Sequence, residues 1–115
     1  MANIPAPVQN LIDAFSMLPG IGPRTASRLT FFLLKNNTDI AQKLSTALMN
    51  LKTETALCKE CFNITLAGHD LCAICENDQR DQHELCVVET PMDVIVLEQS
   101  GGYFGKYHVL HGLLS

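Results

Sequence analysis

The chain has 115 residues, 47% of them hydrophobic, no Trp and a net charge of −4. That length suits one domain or a string of small modules with limited cores, and no stretch nears the roughly 18 uninterrupted apolar residues of a membrane span. Met1-Ala2-Asn3-Ile4-Pro5 lacks the basic start and apolar run of a signal peptide, so a cytoplasmic protein is expected, in which the five cysteines are ligands or core residues rather than disulfides.

Val8, Leu11, Ile12, Phe15 and Leu18 recur at spacings of three and four and predict a first amphipathic helix. The stretch Leu18-Pro19-Gly20-Ile21-Gly22-Pro23-Arg24-Thr25-Ala26 interrupts it. Pro23 fits the first position of a second helix, where its fixed φ is suitable and its missing N–H is not needed. Gly22 would be the N-cap, Gly20 takes positive φ, and Ile21 turns inward as an anchor. This predicts a helix-hairpin-helix that leaves the backbone N–H groups of Gly20, Gly22, Arg24 and Thr25 at a helix N-terminus, a natural anion site. Arg24 and Arg28, four apart, share one face of that helix. An ordinary tight turn between packed helices is the plainer reading. Nothing in the hairpin reads base edges, so DNA would be bound by its backbone, without sequence preference and with salt sensitivity. The charge distribution agrees: residues 19–52 carry Arg24, Arg28, Lys35, Lys43 and Lys52 against Asp39, whereas residues 54–98 carry ten acidic side chains against Lys59 and Arg80.

Ala26, Leu29, Leu33 and Leu34 line the second helix, Asn36-Asn37-Thr38 breaks it, and Thr38 is the expected N-cap of a third. Ile40, Leu44, Ala47, Leu48 and Leu51 form that third stripe. From Cys58 to about Gln82 periodicity gives way to cysteine, glycine and charge. Cys58-Lys-Glu-Cys61 and Cys72-Ala-Ile-Cys75 are two C-x2-C pairs ten residues apart. Each such turn sets two thiolates on one side of a tetrahedral ion, so the four predict one structural Zn²⁺, favoured by softness over Mg²⁺ or Ca²⁺. Disulfides and an iron–sulfur centre are the alternatives. Four protein ligands leave no open position for catalysis at the metal. His69 and His83 are expected at the surface and Cys86 in the core.

Leu85-Cys86-Val87-Val88 reads as a short buried strand, Pro91 to about Ser100 as a helix ended by Gly101-Gly102, and Tyr107–Leu110 as a second strand. Strand, helix, strand predicts a parallel pair with a right-handed crossover. Parallel strands are usually covered on both faces. The later elements that would cover these are not in the chain, so the C-terminal 30 or so residues are expected to be poorly protected, or ordered by pairing with a second copy.

The hairpin with "LPGIGPRTASRLTFFLL", the two C-x2-C pairs and "LCVVETPMDVIVLEQSGGYFGKYHVLHGLLS", in that order, resemble the RecR family of bacterial recombination mediators. The resemblance implies an α+β, multi-module fold: a helix-hairpin-helix DNA-binding module at 1–53, a four-cysteine zinc finger at 54–80, and the first β-α-β part of a Toprim domain at 81–115. It implies DNA contacts at Gly20, Gly22, Arg24, Thr25 and Arg28, zinc ligands at Cys58, Cys61, Cys72 and Cys75, and a first Toprim acidic motif, non-catalytic, at Glu89 and Asp93. It also implies a non-enzymatic role in recombinational DNA repair, helping RecO, and in some settings RecF, to load RecA, and assembly into rings of four. A Toprim domain needs roughly twice the residues available after Arg80, so the chain reads as a fragment or truncated product of that family. Two other classes stay open on the residues alone: a Mg²⁺-dependent Toprim enzyme using Glu89 and Asp93, and a zinc-knuckle docking module that does not bind DNA.

Overall fold

The computed structural model describes residues 3–36 and 38–112. Asn37, within the predicted break, lies outside them. The chain divides into two compact units, Met1–Ala47 and Leu48–Ser115.

In the first unit α1 (Ala6–Ser16) packs against α2 (Pro23–Lys35). Their shared core is small: Ile12 from α1 and Ala26 and Thr30 from α2 are buried. A fully buried alanine lets two helices approach closely. Thr30 is tolerated inside because its hydroxyl donates to the Ala26 carbonyl at 2.9 Å. The predicted stripes need two corrections. Leu18 lies beyond the end of α1, in the turn, and Leu34 is exposed, the position buried on α2 besides Ala26 being Thr30. A polar residue with a backbone partner one turn back leaves no trace in an apolar period.

The third helix, α3 (Ile40–Thr53), runs from the first unit into the second. Thr38 does not cap it. Asn36 Oδ1 instead accepts from the Thr38 N–H at 2.8 Å and from its hydroxyl, and it is the Asp39 carbonyl that accepts the Lys43 N–H at 2.9 Å. None of its described residues is buried, so the stripe predicted on Ile40, Leu44, Ala47, Leu48 and Leu51 forms but stays at the surface.

The second unit holds two small sheets. β1 (Thr55–Leu57) and β2 (Ile64–Leu66) form an antiparallel hairpin pairing Thr55 with Leu66 and Leu57 with Ile64. Three-residue strands are too short for alternation to register, and the sequence does not announce them. A single turn, α4 (Ala73–Glu76), follows. β3 (Leu85–Val88), α5 (Pro91–Ser100) and β4 (Lys106–Val109) then form the expected parallel unit, with Leu85 opposite Lys106 and Val88 opposite Val109. α5 closes on Gly101 at φ 73°, the left-handed cap that glycine adopts without strain. β4 begins at Lys106 rather than Tyr107 and ends before Leu110.

Val94, Tyr107 and Val109 are the buried centre of this part, with Cys86, Val88 and Leu97 packed around them. The opposite side of β3 is open: Leu85 and Val87 are 65% and 51% exposed. The covering expected of a parallel strand is therefore present on one side of β3 only.

Candidate metal centre and nucleic-acid interface

Cys58, Cys61, Cys72 and Cys75 bring their Sγ atoms within 4.8 Å of one another, the first three buried. Two tight turns do this. The Phe62 N–H donates to the Cys58 carbonyl at 2.9 Å and the Glu76 N–H to the Cys72 carbonyl at 3.0 Å, so each C-x2-C folds back on itself. The turns are stitched together by the Lys59 N–H on the Asp70 carbonyl at 2.8 Å. Cys61 Sγ lies 3.6 Å from Cys72 Sγ. Tetrahedral thiolates at a Zn–S distance near 2.3 Å stand about 3.8 Å apart, so the cluster has the dimensions of a four-thiolate site.

Backbone N–H groups converge on the sulfurs. Cys61 Sγ accepts the Asn63 N–H and Cys72 Sγ the Cys75 N–H, both at 3.4 Å, the outer-shell bonds that orient metal ligands. Burial raises the Cys58 thiol, but the backbone N–H groups of Cys61, Cys72 and Glu60 outweigh it and bring its pKa from 9.0 down to about 6. Burial pushes Cys61 up to about 11, and it raises Cys75 further still, with the Cys61 and Cys58 thiols adding to the effect. Gathered without a cation, the thiols oppose one another's ionisation; a bound cation removes that opposition. The donor set therefore fits a soft divalent ion. Cys86 stands apart, half-buried in the other apolar cluster, and His69 and His83 are exposed.

In the first unit, Leu18-Pro19-Gly20-Ile21 closes with the Ile21 N–H on the Leu18 carbonyl at 3.2 Å. Pro19 second and Gly20 third, with φ 79° at the glycine, is the pattern of a type II turn. Gly22 is the N-cap of α2 and Pro23 its first residue. No side chain caps this end and its first turn holds no acidic residue. A Cβ added at Gly20 or at Gly22 would meet nothing within 4 Å. Gly20 is explained by its φ. Gly22 sits at φ −86° and ψ 176°, which any residue adopts, in open space. Nothing among the described residues requires its missing Cβ. Arg24, Thr25 and Arg28 are exposed, and the salt bridges among the described residues involve neither arginine.

Glu89 and Asp93 line one cleft with Val88, Val96 and Leu97. Asp93 has a local role: its Oδ2 accepts the Thr90 N–H at 3.1 Å, a capping-box bond at the start of α5.

Two features escaped the sequence reading. Phe62, directly after the second cysteine, has φ 66°. Arg80 binds the Glu98 carboxylate, and the Tyr107 hydroxyl donates to Glu98 Oε2 at 2.6 Å. A lone arginine in an acidic stretch was the one available signal. Among the described residues, no helix is long and apolar enough to cross a membrane.

The family profile described as RecR, helix-hairpin-helix, matches residues 8–52, and the Toprim domain profile matches residues 83–115. The Recombination protein RecR of Chloroflexus aggregans is 52% identical over 109 residues, covering 95% of this chain and 52% of the relative. That of Roseiflexus castenholzii is 52% identical over 112 residues, with 97% and 54% covered. That of Herpetosiphon aurantiacus is 50% identical over 111 residues, with 96% and 53% covered. The chain spans about half the length of the curated relatives it matches. With a helix-hairpin-helix, a four-cysteine cluster and a Toprim β-α-β unit in that order, the chain is similar along 95% of its length to the RecR family of recombination proteins.

Proposed function

We propose that the chain is the DNA-binding and zinc-carrying part of a non-catalytic recombination mediator that acts in the cytoplasm. The observation that carries this is the uncapped N-terminus of α2 behind Gly20 and Gly22, open to a phosphate and flanked by exposed Arg24 and Arg28. Phosphate oxygens would take the N–H groups near Gly22, Arg24 and Thr25, with the two guanidiniums on neighbouring phosphates. No base edge is read, so binding is indifferent to sequence. The four thiolates hold one Zn²⁺, whose part is structural. RecO, RecF, the delivery of RecA and a ring of four copies come with the family reading and make up its cellular setting.

The test is binding of a labelled oligonucleotide by anisotropy across a salt series. Arg24→Ala and Arg28→Ala should each weaken binding to every sequence alike and flatten the log–log salt slope by about 0.7–0.9. Changed sequence preference with an unchanged slope would exclude backbone contacts.

Gly22→Ser separates anion binding from packing. Serine is a better N-cap than glycine and meets no neighbour here, so folding stability should hold or rise by a few tenths of a kcal/mol. Its hydroxyl would occupy the first-turn donors and its Cβ would stand in the phosphate's path, so DNA affinity should fall. Equal affinity in this variant would remove the helix end from the DNA site.

A further inference from the structure

β4 is held on two sides. β3 runs parallel to it on one, and on the other the Cys61 carbonyl accepts from its backbone, while carbonyls of the second ligating turn accept from its Lys106 side chain. The Val109 N–H donates to the Cys61 carbonyl at 2.8 Å. Lys106 Nζ donates to the Cys75 carbonyl at 3.1 Å and to the Ile74 carbonyl at 3.4 Å. His108 meets the Phe62 ring edge-on, centroids 5.4 Å apart, and the Phe62 carbonyl bonds to His111 Nε2. Ile74, between the second pair of cysteines, packs in both apolar clusters of this unit.

Lys106 is the unusual residue in this set. It is 9% exposed, and among the described residues no carboxylate lies within salt-bridge distance of it. An ammonium so placed is costly unless its N–H groups find acceptors, and the acceptors it finds belong to Cys75 and to its neighbour Ile74. Those carbonyls point at Lys106 only while the second C-x2-C turn keeps its shape. Phe62 is a similar case, since a bulky residue at φ 66° is unfavourable unless its surroundings hold it there.

We propose that Lys106 and Val109 latch β4 onto the two ligating turns, so that loading the metal orders β4 and docking β4 retains the metal. Lys106 is thereby a positioning residue of the metal centre, 31 positions beyond its last ligand. Coupling of this kind is reciprocal: whatever metal contributes to the order of β4, β4 contributes to metal affinity. The inference rests on the metal-centre reading above.

The experiment uses the full chain loaded with Zn²⁺, its metal content measured by elemental analysis. Amide hydrogen exchange is followed by mass spectrometry before and after stripping with a chelator. Stripping should raise exchange across 106–109 about tenfold or more, together with 58–75, while α1 and α2 keep their protection. In parallel, Lys106→Met keeps the stem and removes the donors. At a temperature where its circular dichroism matches the parent, it should release Zn²⁺ to a competing chelator about tenfold faster, with exposed Lys35→Met releasing at the parent rate. If Lys106→Met does not fold, the exchange measurement on the unaltered chain decides alone. Retained protection of 106–109 after stripping, or release from folded Lys106→Met at the parent rate, overturns the latch and leaves the metal site standing. A parent chain that takes up no Zn²⁺ overturns the metal reading and the latch with it.

Discussion

Cys72→Ser is expected to abolish stoichiometric metal binding and to unfold the region from β1 to α4. Cys72 has two jobs at once. Its Sγ is 3.6 Å from Cys61 Sγ in the four-thiol cluster, and the same atom accepts the Cys75 N–H as the cap of α4. Serine keeps a weak cap and loses the soft ligand. The remaining core cannot compensate, because its buried members are Cys58, Cys61 and Cys72 themselves, with Leu71 and Ile74 only half-buried beside them. The apolar residues that might have formed a conventional core, Phe62, Ile64 and Leu66, are exposed. Metal binding to structural zinc sites supplies about 10–16 kcal/mol of apparent free energy, against the few kcal/mol that a core of this size provides. The expected result is therefore near-zero metal per chain by elemental analysis and loss of amide protection across 58–75. Cys86→Ser should keep one metal and lose only about 1–2 kcal/mol, because Cys86 is half-buried among Val94, Tyr107 and Val109. Full metal content in Cys72→Ser would refute the four-ligand assignment.

What the sequence made legible was what short-range chemistry dictates. Pro23 and Gly22 mark the start of α2, and Pro91 and Gly101 bracket α5, because each fits its backbone position for a reason local to that residue. The cysteine cluster was legible because metal geometry fixes the spacing of its ligands. Features that depend on distant partners were not. Thr30 is buried although polar, because a carbonyl four residues back satisfies it. Leu48 and Leu51 keep helical spacing but remain exposed, since period alone does not say what a face meets. Lys106 opens a strand and looks like a surface charge until the carbonyls of Ile74 and Cys75 stand beside it. The four-cysteine segment and the β-α-β part read as separate modules for the same reason: the Val109 bond to Cys61 joins backbone groups and leaves no mark on side-chain pattern.

Arg80→Ala should destabilise the second unit by about 2–4 kcal/mol, because it removes one partner of a largely buried ion pair. The Arg80 and Glu98 side chains are 11% and 29% exposed. The guanidinium also donates to the Tyr103 carbonyl at 3.3 Å and the Gly105 carbonyl at 3.4 Å, so it ties the segment before β3 to α5 and to the approach of β4. Alanine leaves the two carbonyls without this donor and Glu98 with the Tyr107 hydroxyl but no counter-charge. For a unit of this size the midpoint of thermal unfolding should fall by about 10 °C or more. The pH dependence identifies the partner. Arg80 holds the Glu98 carboxyl below its ordinary value of 4.5, with burial opposing and the Tyr107 hydroxyl assisting. A carboxylate depressed in the folded state contributes stability that is complete above its unfolded pKa and is lost as pH falls through the lower folded value. Acidification also strips thiolate-bound metal, so the informative quantity is the difference in stability between the variant and its parent. That difference should be largest near neutrality and should shrink below about pH 4.5, as the parent's Glu98 takes up its proton. A difference that stayed constant from pH 7 down to pH 3 would show that Arg80 acts through the carbonyls of Tyr103 and Gly105 and not through Glu98.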